Sequence, residues 1–152
     1  MEFLVRVNNM VPVIFDEIIR QYNFNFMRVD STVSILYKNN YAFVLSVDRD
    51  YVDLNFMKKE DDKIIKYWIQ GFVIKKLDED DRCNTQETKN LENKLIDYLL
   101  IYEKSLKTKC RSILMGQMDW VEDYRKDFMC VIRELNAKEY DKYGKFLSST
   151  GP

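Results

Sequence analysis

The chain has 152 residues, with 24 basic and 25 acidic side chains, 46% hydrophobic residues, four glycines and no histidine. This length and composition predict one soluble globular domain with a hydrophobic core of its own. The absence of histidine excludes Ser-His-Asp and Cys-His catalysis and removes the most common metal ligand. The formal net charge of −1 argues against a protein that works by neutralising nucleic acid phosphates.

Cofactor motifs are also missing from the sequence. Cys83, Cys110 and Cys130 form no C-x-x-C pair, and the isolated glycines form no phosphate-binding loop. An odd number of cysteines without an evident signal peptide predicts a reduced, cytoplasmic chain. No stretch approaches the roughly 20 apolar residues that cross a bilayer, so no membrane segment is expected. We therefore expect no cofactor, no metal and no enzyme activity.

The first elements in the chain are predicted to be a short strand and a helix. Phe3, Val5 and Val7 lie at alternate positions, as apolar residues do in a strand. From Pro12 onwards the apolar residues recur at helical spacing, and proline is favoured in the first turn of a helix. The pattern predicts a helix over residues 12–23.

Residues 24–57 change to a period of two, which is typical of strands. Asn39 and Asn40 lie between two alternating runs, and asparagine tolerates the positive φ of a tight hairpin turn. A further turn is indicated by Asp48-Arg49-Asp50, before the alternating run that begins at Tyr51. We predict an antiparallel meander over 24–57.

The rest of the chain is predicted to be helical. Helical spacing of the apolar residues indicates an amphipathic helix over 61–76, followed by a polar loop over 78–84. Two long helices are expected over 85–114 and 119–147, and residues 148–152 are expected to be a frayed tail. Potential capping boxes open the two helices, Asn84 with Glu87 and Asp119 with Glu122.

The apolar stripe of the second long helix is expected to pack inward. Its members are Trp120, Tyr124, Phe128, Val131, Ile132 and Leu135. The predicted fold is a single α+β domain over 1–147. In it, an N-terminal helix and the antiparallel meander pack against the amphipathic helix and a C-terminal antiparallel pair of long helices.

Acidic residues gather in three segments although the total charge is balanced. Aspartate is common in turns and at helix starts, and solvated loops are often charged, so each segment has a structural explanation. Together the segments can also form a negative surface that steers a basic protein partner, with Tyr51 as an aromatic anchor. The candidate partner-binding residues are Asp48, Asp50, Tyr51, Asp53, Asp61, Asp62, Asp78, Glu79, Asp80 and Asp81.

The order of elements resembles that of small bacterial α+β proteins, among them immunity proteins of polymorphic or contact-dependent toxin systems. The stretches that carry the resemblance are Val13 to Ile19, the Asn39-Asn40 hairpin, the strand Tyr51 to Phe56, the helix containing Trp68 and the paired C-terminal helices. The resemblance implies a cytoplasmic, non-catalytic protein that binds a cognate toxin domain and blocks its active site. Acidic patches suit that role where the toxin is a basic nuclease.

Three hypotheses about function follow from the sequence. The first is a protein-binding protein of the immunity kind, which acts as a monomer or homodimer. The second is a structural or oligomerisation module that uses its C-terminal helix pair. The third is a carboxylate enzyme in which Asp48, Asp50 and Asp53 bind a divalent cation or act as acid and base, although the glycine and distal glutamate of an EF-hand are absent.

Overall fold

The computed structural model describes residues 2–77 and 90–148 as an α+β fold. An N-terminal helical segment, a six-stranded antiparallel sheet and C-terminal helices confirm the predicted class. The elements in chain order are α1 (Glu2–Asn9), α2 (Val11–Ile14), α3 (Asp16–Gln21), β1 (Asn25–Arg28), β2 (Val33–Tyr37), β3 (Tyr41–Val47), β4 (Val52–Glu60), β5 (Lys63–Trp68), α4 (Gln70–Lys75), α5 (Leu91–Lys107), α6 (Arg111–Leu114), α7 (Val121–Arg125), β6 (Ile132–Glu134) and α8 (Ala137–Ser148).

The sheet runs in sequence order from β1 to β6, and every neighbouring pair of strands is antiparallel. Asn39 and Asn40 form the turn between β2 and β3, which closes with a hydrogen bond from the Lys38 N–H to the Tyr41 carbonyl at 2.9 Å. Each hairpin places its two strands side by side without a crossover, because the connections are short.

Both faces of the sheet are covered by helices. One face, which includes Phe43 and Phe56, forms a hydrophobic core with residues from α1 to α7. The opposite face, which includes Ile35 and Val44, forms a second core with Leu147 and its neighbours in α8. None of the described helices combines the length and the apolar composition that a bilayer crossing requires.

The predicted helix over 61–76 is wrong in its first half, because Lys63–Trp68 is strand β5 and only Gln70–Lys75 is helical. Ile64 is buried in the core beneath α8, while Tyr67 is buried in the core on the other face. A strand covered on both faces has apolar residues at consecutive positions, which imitates helical spacing. Asp61 does not begin a helix; it has a φ of 58° and forms the tight turn before β5.

The N-terminal predictions also need correction. Residues 2–9 form helix α1 and not a strand, with Val7 completely buried and Phe3 and Leu4 packed beside it. These positions are three and four residues apart, as one helix face requires. The predicted helix over 12–23 is two short helices, α2 and α3, separated at Phe15.

The predicted pair of long C-terminal helices is absent from the described residues. Within 85–114, helix α5 starts at Leu91 with Asn90 as its cap, whose side chain accepts a hydrogen bond from the Asn93 N–H at 2.8 Å. The helix ends at Lys107 and is followed by the short α6. Residues 119–147 form α7, β6 and most of α8 in place of one helix.

Of the two predicted helix caps one is wrong and one is not described, and two of the three cysteines are described. Asp119 is not a cap, because Trp120 holds that position in α7 without a side-chain hydrogen bond. The predicted cap at Asn84, Cys83 and residues 149–152 of the predicted tail lie outside the described residues, whereas Ser148, the first residue of that tail, ends helix α8. Cys110 and Cys130 are free thiols, the first buried and the second partly buried.

Candidate partner-binding surface

Strand β4 separates the predicted acidic residues into two groups. Asp48 and Asp50 flank the turn before the strand and Asp53 is its second residue, whereas Asp61 and Asp62 form the turn after it. At about 3.3 Å per residue, the strand puts Asp53 and Asp61 roughly 26 Å apart. The two groups therefore belong to opposite ends of the sheet. The predicted residues Asp78, Glu79, Asp80 and Asp81 lie outside the described part of the chain.

The first group surrounds Tyr51, and we call Asp48, Asp50, Tyr51 and Asp53 the hairpin-end surface. Asp48 and Asp50 are exposed and Tyr51 is partly buried. The Asp48 N–H donates to the Tyr51 carbonyl at 2.9 Å, and the Arg49 N–H donates to Asp48 Oδ1 at 2.7 Å. The charge of Asp53, followed by burial and the charge of Asp48, raises the pKa of Tyr51 above its ordinary value. A local negative potential therefore acts on this phenol.

The aspartates of the hairpin-end surface have no ion-pair partner among the described residues. About half of the acidic side chains elsewhere in the described residues are paired, whereas Asp61 and Asp62 at the far end of β4 also lack an ion pair. The acidic residues that are paired with lysine or arginine include Asp16, Glu17, Asp30, Glu92, Glu103, Asp123, Asp127 and Glu139. In residues 2–77 and 90–148 no lysine or arginine forms an ion pair with these aspartates, although Arg49 lies between Asp48 and Asp50 and the charge of Lys66 acts on Asp53.

Asp53 is the aspartate of this surface that is partly buried. The indole N–H of Trp68 in β5 donates a hydrogen bond to Asp53 Oδ1. Burial raises the pKa of Asp53, while the Trp68 hydrogen bond and the positive charge of Lys66 act in the opposite direction. A carboxylate that is buried with one donor and no ion pair destabilises the folded state when it is ionised.

Asn55 lies next to Asp53 on the same face of β4, since alternate residues of a strand share a face. It is 7% exposed, and its Oδ1 atom has no hydrogen-bond donor in the described part of the chain. The strand register places it directly opposite Trp68. Two polar acceptors, one charged and one without any donor, are therefore adjacent beside one indole ring.

A nearby ion-pair network joins β5, β6 and α8. Glu139 accepts hydrogen bonds from Arg133 at 2.7 and 2.9 Å and from Lys66 at 2.7 Å. The Arg133 hydrogen bonds are the main cause that lowers the pKa of Glu139 to about 2, with Lys66 adding to the effect against the opposing effect of burial. The network anchors the start of α8 on the sheet and neutralises both cations.

Metal and nucleophile chemistry find little support in these side chains. Within residues 2–77 and 90–148, no group of three Cys, Asp or Glu side chains is placed to hold a metal ion, and Asp48, Asp50 and Asp53 form no such set. Burial raises the pKa of the Cys110 thiol, which disfavours the reactive thiolate.

A second exposed feature was missed by the sequence patterns. Phe128, predicted to pack inward on a helix, is 88% exposed in the loop between α7 and β6, with Met129 and Val131 also exposed. The ammonium of Lys75 lies 5.3 Å from the Phe128 ring centre. Asp127 is the residue in the sequence that could have indicated this loop. Its Oδ1 accepts a hydrogen bond from the Met129 N–H at 2.9 Å, as in an aspartate turn.

A shallow groove of about 280 Å³ lies beside this loop. Its lining residues are Phe72, Lys75, Lys76, Asp123, Lys126 and Asp127. Lys75 pairs with Asp127 at 3.0 Å and Lys76 pairs with Asp123 at 2.7 Å, so most of the charge in the groove is neutralised internally.

Comparisons of this chain with models of protein families, with curated proteins and with solved structures find no match.

Proposed function

We propose that the protein is a non-catalytic protein-binding protein whose hairpin-end surface binds a basic partner. The observation that carries this proposal is that Asp48, Asp50 and Asp53 gather around Tyr51 and form no ion pair among the described residues, whereas about half of the other acidic side chains there are paired. Carboxylates that are left without a cation are available to a cation of another molecule.

The chemistry of the hairpin-end surface suits such a partner. Uncompensated charges accelerate the encounter with a molecule of opposite charge, and the effect weakens as salt is added. Tyr51 lies among these charges and Trp68 beside them, and both residue types are enriched among the residues that dominate binding energy.

The resemblance to immunity proteins specifies this proposal further. In that form the protein acts in the cytoplasm, without a cofactor, and neutralises a cognate bacterial toxin by covering its active surface. A basic nuclease domain is the toxin type that fits an acidic surface best. Neither nucleic acid nor a membrane is a partner in this proposal.

The other two hypotheses receive less support. The oligomerisation module depended on a long helix over 119–147, and those residues form α7, β6 and part of α8. The carboxylate enzyme depended on three aspartates that make no metal-binding group in the described chain.

The test compares two charge-neutralised variants of the immobilised protein in a lysate of the native host. Asp48→Asn with Asp50→Asn removes two charges from the hairpin-end surface but keeps an amide oxygen that can accept from the Arg49 N–H. Asp61→Asn with Asp62→Asn removes two charges at the far end of β4, and asparagine tolerates the positive φ of position 61. Captured proteins are identified by mass spectrometry, and their association rates are then measured with purified material.

We expect a basic protein to be captured by the native protein and by the Asp61/Asp62 variant, and to be depleted on the Asp48/Asp50 variant. Its association rate should fall by about tenfold at low salt in the hairpin variant. Equal capture and equal association rates for the two variants would show that the hairpin-end surface is not the binding site.

A further inference from the structure

We propose that Asp53, Asn55 and Trp68 form a guanidinium-binding site, and that the partner inserts an arginine side chain there. The inference rests on the proposed function, because it names the group by which a basic partner would be recognised. The three residues are called the Asp53–Asn55 site below.

The strand register brings the three side chains together. Asp53 and Asn55 are alternate residues on one face of β4, and Trp68 of β5 is paired with Asn55. The Trp68 indole reaches diagonally across the strand pair to donate to Asp53. The indole ring therefore extends from the position opposite Asn55 to the Asp53 carboxylate.

The site contains more acceptors than donors. Among the described side chains, Trp68 is the only one that donates a hydrogen bond to Asp53, and Asn55 Oδ1 has no donor at all although the residue is 7% exposed. Buried acceptors are almost always satisfied in folded proteins, so an orphan acceptor beside an unpaired carboxylate indicates a missing donor. A positively charged donor would satisfy both groups together.

A guanidinium fits this site better than other cations. It presents several N–H donors in one plane and stacks on aromatic rings, so it can bond Asp53 and Asn55 while it lies against Trp68. An ammonium is a compact, strongly hydrated charge without the planar fork. A divalent metal needs a larger oxygen set, which the described residues do not provide here.

The surrounding charges leave Asp53 as the available carboxylate. Lys66, a cation on the same face whose charge acts on Asp53, is held 2.7 Å from Glu139, and Arg133 is bonded to the same carboxylate. These cations are therefore already neutralised, and Glu139 is occupied. Asp53 is the second residue of β4 and Trp68 the last of β5, and both side chains are only partly buried, so the site borders the protein surface.

The experiment titrates the isolated, isotope-labelled protein with N-acetyl-arginine amide and records the amide and indole resonances. Parallel titrations use N-acetyl-lysine amide, magnesium chloride and sodium chloride at matched ionic strength. We expect saturable shifts of the Trp68 indole N–H and the Asn55 side-chain amide in the millimolar range with the arginine compound. The lysine compound should bind at least tenfold more weakly, and the two salts should cause no saturable shift.

Variants make the assignment specific. Asp53→Asn keeps an acceptor for the Trp68 indole and removes the charge, and it should weaken binding of the arginine compound by tenfold or more. Asp61→Asn, at the far end of β4, should bind as the native protein does. The inference is overturned if the arginine compound causes no saturable shift, if Asp53→Asn binds equally well, or if magnesium produces the same shifts.

This titration needs no protein partner. A protein that binds the arginine compound but captures no basic partner would contradict the proposed function alone. A protein that captures a basic partner through Asp48 and Asp50 but does not bind the arginine compound would contradict only the Asp53–Asn55 site.

Discussion

The hydroxyl of Tyr124 joins two backbone segments: it donates to the Trp68 carbonyl at 2.6 Å and accepts from the Val131 N–H at 2.8 Å. Tyr124 lies in α7, Trp68 ends β5, and Val131 precedes β6. One phenolic oxygen therefore closes the gap between α7 and the end of the sheet. It also holds the backbone of the residue whose indole reaches Asp53.

Replacement of Tyr124 by phenylalanine should destabilise the protein by about 1–3 kcal/mol, because the partly buried Trp68 carbonyl and Val131 N–H lose a hydrogen-bond partner. Urea denaturation measures the loss, and the amide resonances of Trp68 and Val131 should shift. Tyr22→Phe is the matched control, because the Tyr22 ring contacts Arg111 and its hydroxyl makes no hydrogen bond within the described residues. A Tyr124→Phe variant as stable as the Tyr22→Phe variant would contradict this role.

Asp53→Asn should raise the free energy of unfolding at pH 7. Burial raises the pKa of Asp53, so its ionised form destabilises the folded state, whereas asparagine keeps an acceptor for Trp68 without a charge. The advantage should be complete at pH values above the raised pKa and be lost as the pH falls from it towards the ordinary value of 3.8, because the native residue is then protonated in the folded state. Urea denaturation at a series of pH values measures it, and a variant less stable than the native protein at pH 7 would refute the prediction.

Protonation of Glu139 should account for part of the stability that the protein loses at acidic pH. Its pKa is lowered from 4.5 to about 2, chiefly by Arg133, so the Glu139 contribution to stability is complete above pH 4.5 and is lost as the pH falls towards 2. Glu139→Gln should lower stability at pH 7 and flatten the pH dependence in that window. Asp141→Asn, an exposed change on the same helix, is the control and should leave the stability at acidic pH as it is in the native protein. If the native protein and Glu139→Gln lose the same free energy of unfolding as the pH falls from 4.5 towards 2, this contribution is excluded.

Gly116→Ala should be strongly destabilising, by more than about 1 kcal/mol. Gly116 has a φ of 76°, and an added Cβ would lie 2.5 Å from Cε1 of Tyr41. That ring is held in place, because its hydroxyl donates to the Leu114 carbonyl at 2.9 Å. Gly71→Ala is the control, since no atom lies within 4 Å of its added Cβ in α4, and alanine favours the helix by roughly 0.5–1 kcal/mol. Thermal unfolding of the two variants should therefore shift in opposite directions.

Phe128→Ala should change the free energy of unfolding by less than about 0.5 kcal/mol, because the ring is 88% exposed. Phe146→Ala, which removes a ring that is 8% exposed on the buried face of α8, should cost about 3–5 kcal/mol. Equal losses in the two variants would mean that Phe128 is buried, as its spacing in the sequence predicts.

The parts of the fold that could be predicted from the sequence are those governed by local rules. Alternation and the Asn39-Asn40 turn predict the hairpin of β2 and β3, because one dipeptide sets the turn and its flanking runs share a period. Strand β5 escaped prediction because Ile64 and Tyr67 are buried in different cores. Burial on both faces is a property of the assembled sheet, and no local pattern in the sequence distinguishes it from a helix.

The candidate site was predictable only in part for the same reason. The sequence identifies Asp48, Asp50 and Asp53 as neighbours of Tyr51, since they lie within a few residues of one another. The diagonal hydrogen bond between Asp53 and Trp68 joins residues 15 apart in sequence and depends on the register of β4 and β5. Because Trp68 was predicted to be helical, its contact with Asp53 could not be anticipated.

The outermost strands restrict how another chain can join this protein. The sheet ends in β1, with four residues, on one side and in β6, with three residues, on the other. Strand addition requires a row of free backbone groups along an edge, and strands this short offer very few. The same brevity protects the folded chain from edge-to-edge aggregation. Any specific complex must therefore be recognised through side chains, whose identity a few substitutions can change while the sheet stays intact.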